Sequence, residues 1–481
     1  MGSRQKRGHR TWAAAWLSAA CMAVWVRAEA PKPFVVPVSL RVEAVEIALE
    51  VGESARGYRL AGRPDGMGLL PLEGGAFRLF VNHELARDEG EARAHGGKGA
   101  FVSQWEFKPH TDQHGLTLYA RSGQDAIRKV LDSSGAEYRS VSKGRFGPLC
   151  SAHLAGAAEG FDRPIFLTGE ESRGAETLDG QPGGRSYAVF DGQAWALPRL
   201  GRYAKENQVA LRGTGERTAV VGLEDGPETP DSQVYLYLGT KEPDSRDALA
   251  RNGLSNGGLF VLRVEGAATE EDIREKGAAR RCSFVPVRYD QTAEALEREA
   301  DALGATGFVR VEDGVQDPSS PRTFYFVTTG SEYRGKSGRH VNHNGRLYRL
   351  VFDSLSDPSA GGTLELILKG SEGVVSPDNL AMDERGVLLI AEDPTFPLSG
   401  RASSLWQFAT GTGDLVRLLE VNPAAAGPSF EPSDWEITGI VDASRVLGSG
   451  WWLVAVQAHG VPAPPGLVEG GQILAVRLGG P

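Results

Sequence analysis

Val234-Tyr235-Leu236-Tyr237-Leu238-Gly239 is a short run of β-branched, aromatic and aliphatic residues closed by glycine, and it reads as a β-strand. Runs of the same character recur on both sides of it, at residues 77–82, 164–168, 258–264, 323–328, 346–352, 386–391, 404–408, 451–457 and 472–478. Each is five to eight residues long, many alternate with a period of two, and turn-forming residues separate them. Helical patterning is confined to residues 291–303 and, more weakly, 269–276. The chain is therefore mainly β. No linker divides it, and so many antiparallel strands are best accommodated by radial repetition, which leaves few exposed edges. That predicts an all-β propeller with long inserted loops and a few short helices, in a single domain over residues 29–481. No exact internal repeat supports the propeller, and a pair of packed β-sandwiches is the competing architecture.

Composition agrees. The 481 residues are 41% hydrophobic and 24% charged, too apolar for a disordered chain, and 62 glycines and 27 prolines suit many turns. At the N-terminus Arg4, Lys6, Arg7 and Arg10 precede an apolar run over residues 12–26, with small residues at Ala28 and Ala30. This predicts a signal peptide over residues 1–28, an exported protein in the periplasm or outside the cell, and no stable membrane association after cleavage. An uncleaved anchor is the alternative, although the run is short for a membrane span. The formal charge is −10, and loss of the leader removes only basic residues, so nucleic acid is excluded as a partner class. Two cysteines remain, Cys150 and Cys282; they can pair but make no disulfide framework.

The chemistry-bearing pattern is acidic. Glu170-Glu171, Glu224-Asp225, Glu312-Asp313 and Glu392-Asp393 each follow a strand-like run, and Asn82-His83-Glu84 and Asp378-Asn379 extend the series. A strand end is rigid yet open, so carboxylates there can reach one shared site. Gathered carboxylates repel unless a cation neutralises them, and oxygen donors favour a hard cation such as Ca²⁺. Each couple alone is also an ordinary solvated turn. Arg310 precedes Glu312 by two residues and can offer a guanidinium fork to a phosphate or a salt bridge to Glu312. His459 can ligate metal, contact substrate or serve only the fold. Cys150 is a small buried hydrophobe unless a soft or redox-active metal lies beside it. No His-Glu-x-x-His or Cys-x-x-Cys motif occurs, and no side-chain nucleophile is expected.

Several of these segments, in order, resemble the bacterial PhoX family of alkaline phosphatases: LFVNHE (79–84), LCSAHL (149–154), LTGEE (167–171), LPRLGRYAKEN (197–207), VYLYLGTK (234–241), FVRVED (308–313), FYFVTTG (324–330), PDNL (377–380), Glu392-Asp393, WEITGIVD (435–442) and VQAH (456–459). The resemblance covers nearly the whole chain after the leader. It implies a six-bladed propeller with iron and calcium ions at its centre and hydrolysis of small-molecule phosphate esters. By the same resemblance Cys150 is an iron ligand, Glu170, Glu171 and Glu312 are acidic ligands, and Arg310 holds the substrate phosphate with Glu312 beside it in the catalytic set. Glu84, Asp378, Glu392, Asp393 and Glu436 fall in matching segments as further metal ligands, Glu206 falls in a matching segment without an assigned role, and His459, in the VQAH segment, is expected to contact substrate. Ca²⁺ and Fe³⁺ are the expected cofactors, in a chain expected to be monomeric. A calcium-bearing esterase or lactonase and a noncatalytic metal-binding propeller are the alternative functions.

Overall fold

The computed structural model describes residues 31–113, 115–138, 145–174, 177, 181–394, 401–427 and 435–479. The expected leader, residues 1–28, lies outside them. The fold is mainly β and propeller-like. Sheets succeed one another along the chain, each built outward from one inner strand and antiparallel but for one parallel pairing, of Lys129–Leu131 with Gln193–Ala196. The inner strands are β1 (Pro64–Pro71), β2 (His153–Ala155), β3 (Lys205–Ala210), β4 (Val311–Gln316), β5 (Pro377–Met382) and β6 (Trp435–Asp442). Each packs beside the next, and β6 packs beside β1, so they ring a central hub.

The hydrophobic cores sit between consecutive sheets. Phe80 and Val102 of the first sheet meet Phe166 and Tyr187 of the second. Leu167 and Ala188 of the second meet Tyr235 and Val261 of the third. The series ends where Leu453 and Ile473 of the last sheet meet Phe77 and Trp105 of the first. Sheets pack side by side around an axis, and two facing sandwiches are not what forms. The sheets starting at β3 and β4 also join at their outer edges, where Arg280–Val287 pairs with Gly362–Lys369 over three residues. The N-terminal strand Val42–Glu50 completes the last sheet by pairing with Glu469–Leu478 along its length.

Most predicted strands appear within a residue or two of the expected bounds, among them Gly258–Val264, Thr323–Thr328 and Arg346–Phe352. The helix near residue 291 spans Ala293–Ala302, with Thr292 accepting a hydrogen bond from the Ala295 amide as its cap. Residues 269–276 form only a single 3₁₀ turn, Glu270–Asp272. Glu270 is buried and accepts from Thr328, Asn342 and Tyr348, which ties the turn to the fourth sheet instead of letting a helix run on. Residues 307–310 are likewise not a continuous strand. Arg310 takes a left-handed conformation (φ 56°), and regular pairing starts at Val311. Both cysteines are free and buried.

Candidate metal and phosphate site

The hub is built by a repeated local device. The second residue of β1, β3, β4, β5 and β6 is acidic: Asp65, Glu206, Glu312, Asp378 and Glu436. In each of these strands the pairing register breaks at or just after that residue, for example between Lys205 and Gln208, Val311 and Gly314, and Pro377 and Leu380. A bulge bends the strand and re-aims a side chain, here turning each carboxylate toward the axis. The neighbouring second strands deliver further groups from their inner ends: Glu84 after Phe77–His83, Glu171 after Ile165–Gly169, Asp225 after Arg217–Glu224 and Asp393 after Val387–Glu392. In the second sheet Cys150 stands just before β2.

These residues converge. Ligand atoms of Asp65, Glu84 and Cys150 lie within 4.8 Å of one another, as do those of Cys150, Glu171 and Glu206, and those of Glu206, Glu312 and Asp378. The three groups share members and form one continuous cluster of six carboxylates and a thiol. Amides and hydroxyls hold its edges. Gln457 Nε2 donates to Asp65 (3.1 Å) and Glu84 (2.9 Å), and the Thr329 hydroxyl lies 2.9 Å from Glu312 Oε1. Asn82 Nδ2 donates to the Cys150 carbonyl (2.7 Å) and fixes that loop.

The electrostatics of the bare cluster are unfavourable. Burial first, and neighbouring acids second, push Asp65, Glu171, Glu206, Glu312 and Asp378 well above the usual carboxylate range. Glu84 rises to about 7 through burial and Glu436. Burial, then Asp65 and Glu206, raise the Cys150 thiol too. Two unit charges about 4 Å apart repel by about 4 kcal/mol at an effective dielectric of about 20. Neither carboxylate oxygen of Glu206 has a hydrogen-bond partner in good geometry, the Ser151 hydroxyl being only a minor influence on its pKa, and Gln457 Oε1 and Asn82 Oδ1 are also buried and unsatisfied. Oxygen-rich donors, one sulfur and inward-facing orphaned oxygens suit hard cations together with one metal that accepts a thiolate.

Arg310 borders the cluster. Its guanidinium lies 3.1 Å from Asp225, 3.1 Å from Glu312 and 3.7 Å from Asp393. Burial alone would weaken its charge, but Glu312, Asp225 and Asp393 outweigh it, so it stays cationic. Of the two roles open to it, the salt bridge to Glu312 is present, and Asp225 and Asp393 share the same guanidinium.

Other predicted site residues are placed apart from the three ligand groups. Glu170 accepts from the amides of Gly147 and Arg185 and lies 3.3 Å from the Thr177 hydroxyl. Glu392 accepts from the Val375 amide and pairs with Arg401. His459 is held between Glu436 (3.1 Å) and Glu469 (2.7 Å). Glu436 reaches the hub through its charge, raising both Asp65 and Glu84. Asp65 is a site residue that the sequence reading did not reach, because Pro64-Asp65-Gly66 has the composition of a turn. Its signal is the shared pattern of an acid at strand position two followed by Gly or Asn, which Glu206-Asn207 and Asp378-Asn379 repeat. Two spacings also match a nucleophile motif and a phosphate motif, although no side-chain nucleophile is expected. Gly253–Gly257 fits Gly-x-Ser-x-Gly, but Ser255 lies in a turn running from a helix into a strand, the reverse of a nucleophile elbow. Gly330–Ser337 fits Gly-x4-Gly-Lys-Ser, yet it leads from strand to strand and supplies no helix N-terminus for phosphate.

Fold and site together define a propeller-like β protein with an acid- and thiol-lined hub and a buried arginine at its edge. The family model for alkaline phosphatase PhoX matches residues 191–441, and the chain belongs to that family. Among solved structures it resembles Pseudomonas fluorescens PhoX in complex with vanadate, a transition-state analogue, with a TM-score of 0.67 and 16% identity over 93% of this chain and 97% of that one. A protein of unknown function from Dyadobacter fermentans aligns with a TM-score of 0.42 and 10% identity, over 91% of this chain and all of the other. No curated protein sequence matches. Family membership supports a general hydrolase or phosphatase role. Among the described residues no helix is long and apolar enough to cross a membrane.

Proposed function

We propose that this chain is an exported metal-dependent phosphatase that hydrolyses small phosphate esters at the hub of a six-bladed propeller. The observation that carries this reading is the convergence of Asp65, Glu84, Cys150, Glu171, Glu206, Glu312 and Asp378 beside Arg310. Cys150 suits iron, and the carboxylates suit calcium and iron together. Metals bound there would polarise the phosphoryl oxygens and make a hydrolytic nucleophile available near neutral pH. Arg310 accepts the phosphate as a two-pronged donor and counters the charge that builds in the transition state. Asp225 and Asp393 keep that fork aimed, and Glu312 ties it to the metal-binding acids. No serine or threonine nucleophile is needed.

The test is turnover of p-nitrophenyl phosphate by the purified mature chain with Ca²⁺ and iron, alongside elemental analysis. Arg310→Ala is expected to lower kcat/KM by about 100-fold or more while metal content is kept. Glu312→Ala is expected to lose both metal and activity. Undiminished turnover in both variants would sink the mechanism, and a metal-free purified protein would sink the cluster.

A further inference from the structure

The connection between the second and third strands of the fourth sheet carries two histidines and a glutamate that the hub does not use. Glu332, His340 and His343 present ligand atoms all within 4.8 Å of one another. His343 Nδ1 is 3.2 Å from Glu332 Oε1, and His340 Nδ1 is 3.8 Å from Glu332 Oε2. The second separation is too long for a hydrogen bond. His340 Nδ1 is nevertheless buried and has no hydrogen-bond partner. The two imidazole centroids stand 4.3 Å apart, so the rings are immediate neighbours.

We propose that Glu332, His340 and His343 form a second metal site, for one divalent cation of the zinc class. Two ligand atoms at about 2.1 Å from one tetrahedral zinc stand about 3.4 Å apart, and Glu332 meets each imidazole at a comparable separation, through Oε1 to His343 (3.2 Å) and through Oε2 to His340 (3.8 Å). Two imidazoles and a carboxylate leave a fourth position for water, and this nitrogen-rich set selects borderline metals where the oxygen-rich hub selects hard ones. A plain surface ion pair between His343 and Glu332 contributes about 0–1 kcal/mol and leaves His340 Nδ1 unexplained.

The site is preorganised. The Ser331 amide donates to the Asn342 carbonyl (2.7 Å) and the Val341 amide to the Tyr333 carbonyl (3.2 Å), which clamps the two ligand-bearing segments together. The Asn342 side chain donates to Glu270 (3.0 Å), and Arg346 to the Val341 carbonyl (2.6 Å). Little chain has to be ordered when the ion arrives. The same segment leaves the hub at Thr329, beside Glu312, so a bound ion fixes the chain that borders the phosphatase site.

The proposal is independent of the phosphatase reading, and its test does not use turnover. The untagged mature chain is titrated calorimetrically with Zn²⁺ at neutral pH, with elemental analysis and thermal melts in parallel. The expected result is one zinc per chain in addition to the hub metals, and a Tm that rises with zinc. Glu332→Gln should weaken binding about 10-fold or more. His340→Ala and His343→Ala should each abolish the zinc-dependent rise in Tm and leave hub iron and calcium unchanged. Of the two histidines His343 is the more exposed, 44% against 22% for His340, so its variant is the safer for folding. Unaltered zinc stoichiometry and affinity in His343→Ala, or no zinc binding by the parent chain, overturns the assignment.

Discussion

Asp225 and Asp65 mark two ways in which a functional residue is hidden from sequence. Asp225 sits in a visible acidic couple, but only the fold shows that it faces Arg310, at 3.1 Å from Nε and 3.4 Å from Nη2. Its consequence is a positioning role. In Asp225→Asn the charge-assisted contact is replaced by a weaker one, a difference of about 1–1.5 kcal/mol, or roughly 5–10-fold. The loss is expected mainly in KM for phosphate esters and in inhibition by inorganic phosphate, while iron and calcium contents hold. Equal loss of bound metal would show instead that Asp225 is a ligand. Much of the candidate site was legible one residue at a time: Cys150, Glu84, Glu171, Glu312 and Asp378, singled out by the acidic pattern or the family likeness, lie together in the cluster. What was not legible is which member of each couple turns inward. Glu170 and Glu171 are adjacent, yet one caps backbone amides and the other joins the cluster, because consecutive residues at a strand end point to opposite sides.

At the scale of the element, strands were readable because alternation and turn residues are local signals. The bulge was not, because it preserves apolar alternation on both sides and shows only as a change of register in the folded sheet. The run at residues 307–311 is the clearest case: its composition is that of a strand, but the Glu270 carboxylate captures the Val309 amide and Arg310 turns left-handed to reach the hub. Glycine makes the bulges close enough to one another to form a ring. A Cβ on Gly66 would stand 2.4 Å from the Ala152 amide nitrogen and 2.6 Å from the Cys150 carbonyl oxygen, all backbone atoms that cannot swing aside. Gly66→Ala is therefore expected to destabilise the chain by about 1–3 kcal/mol and to displace Cys150, lowering iron content more than calcium. Gly411→Ala, where no atom lies within 4 Å, is the matched control and should change neither. Urea melts with elemental analysis distinguish the two. Full iron occupancy in Gly66→Ala would remove the link between the first bulge and the thiol.

At the scale of the molecule, the ring gathers buried acids from all around the axis into one volume, and this couples global stability to pH in a way that bound cations should reverse. In the metal-free chain Glu84 is raised to about 7, through burial and Glu436, and burial and neighbouring acids raise Asp65, Glu171, Glu206, Glu312 and Asp378 well above the usual range too. Unfolded, the same groups titrate near the ordinary values for Asp and Glu, about 4. A carboxyl whose folded pKa lies above its unfolded one binds protons more tightly when folded, so it costs stability at high pH. For Glu84 that cost is absent below about 4, grows as pH climbs through the interval, and is complete above about 7. The other raised acids contribute a slope of the same sign. Chelated protein should accordingly melt at a higher temperature near pH 5 than near pH 8. With metals bound the acids are held as anions by positive charge, their effective pKa falls below the unfolded value, and the slope changes sign: stability is kept at pH 8 and lost on acidification as the ligands protonate and release the ions. Thermal melts at pH 5 and pH 8, with and without chelator, therefore have a crossed pattern as their expected outcome. Because the strand Val42–Glu50 completes the last sheet of the ring, the effect should appear in one cooperative transition and not in the melting of a single sheet. Parallel pH slopes for the chelated and metal-loaded protein would mean that the hub acids do not share a cation.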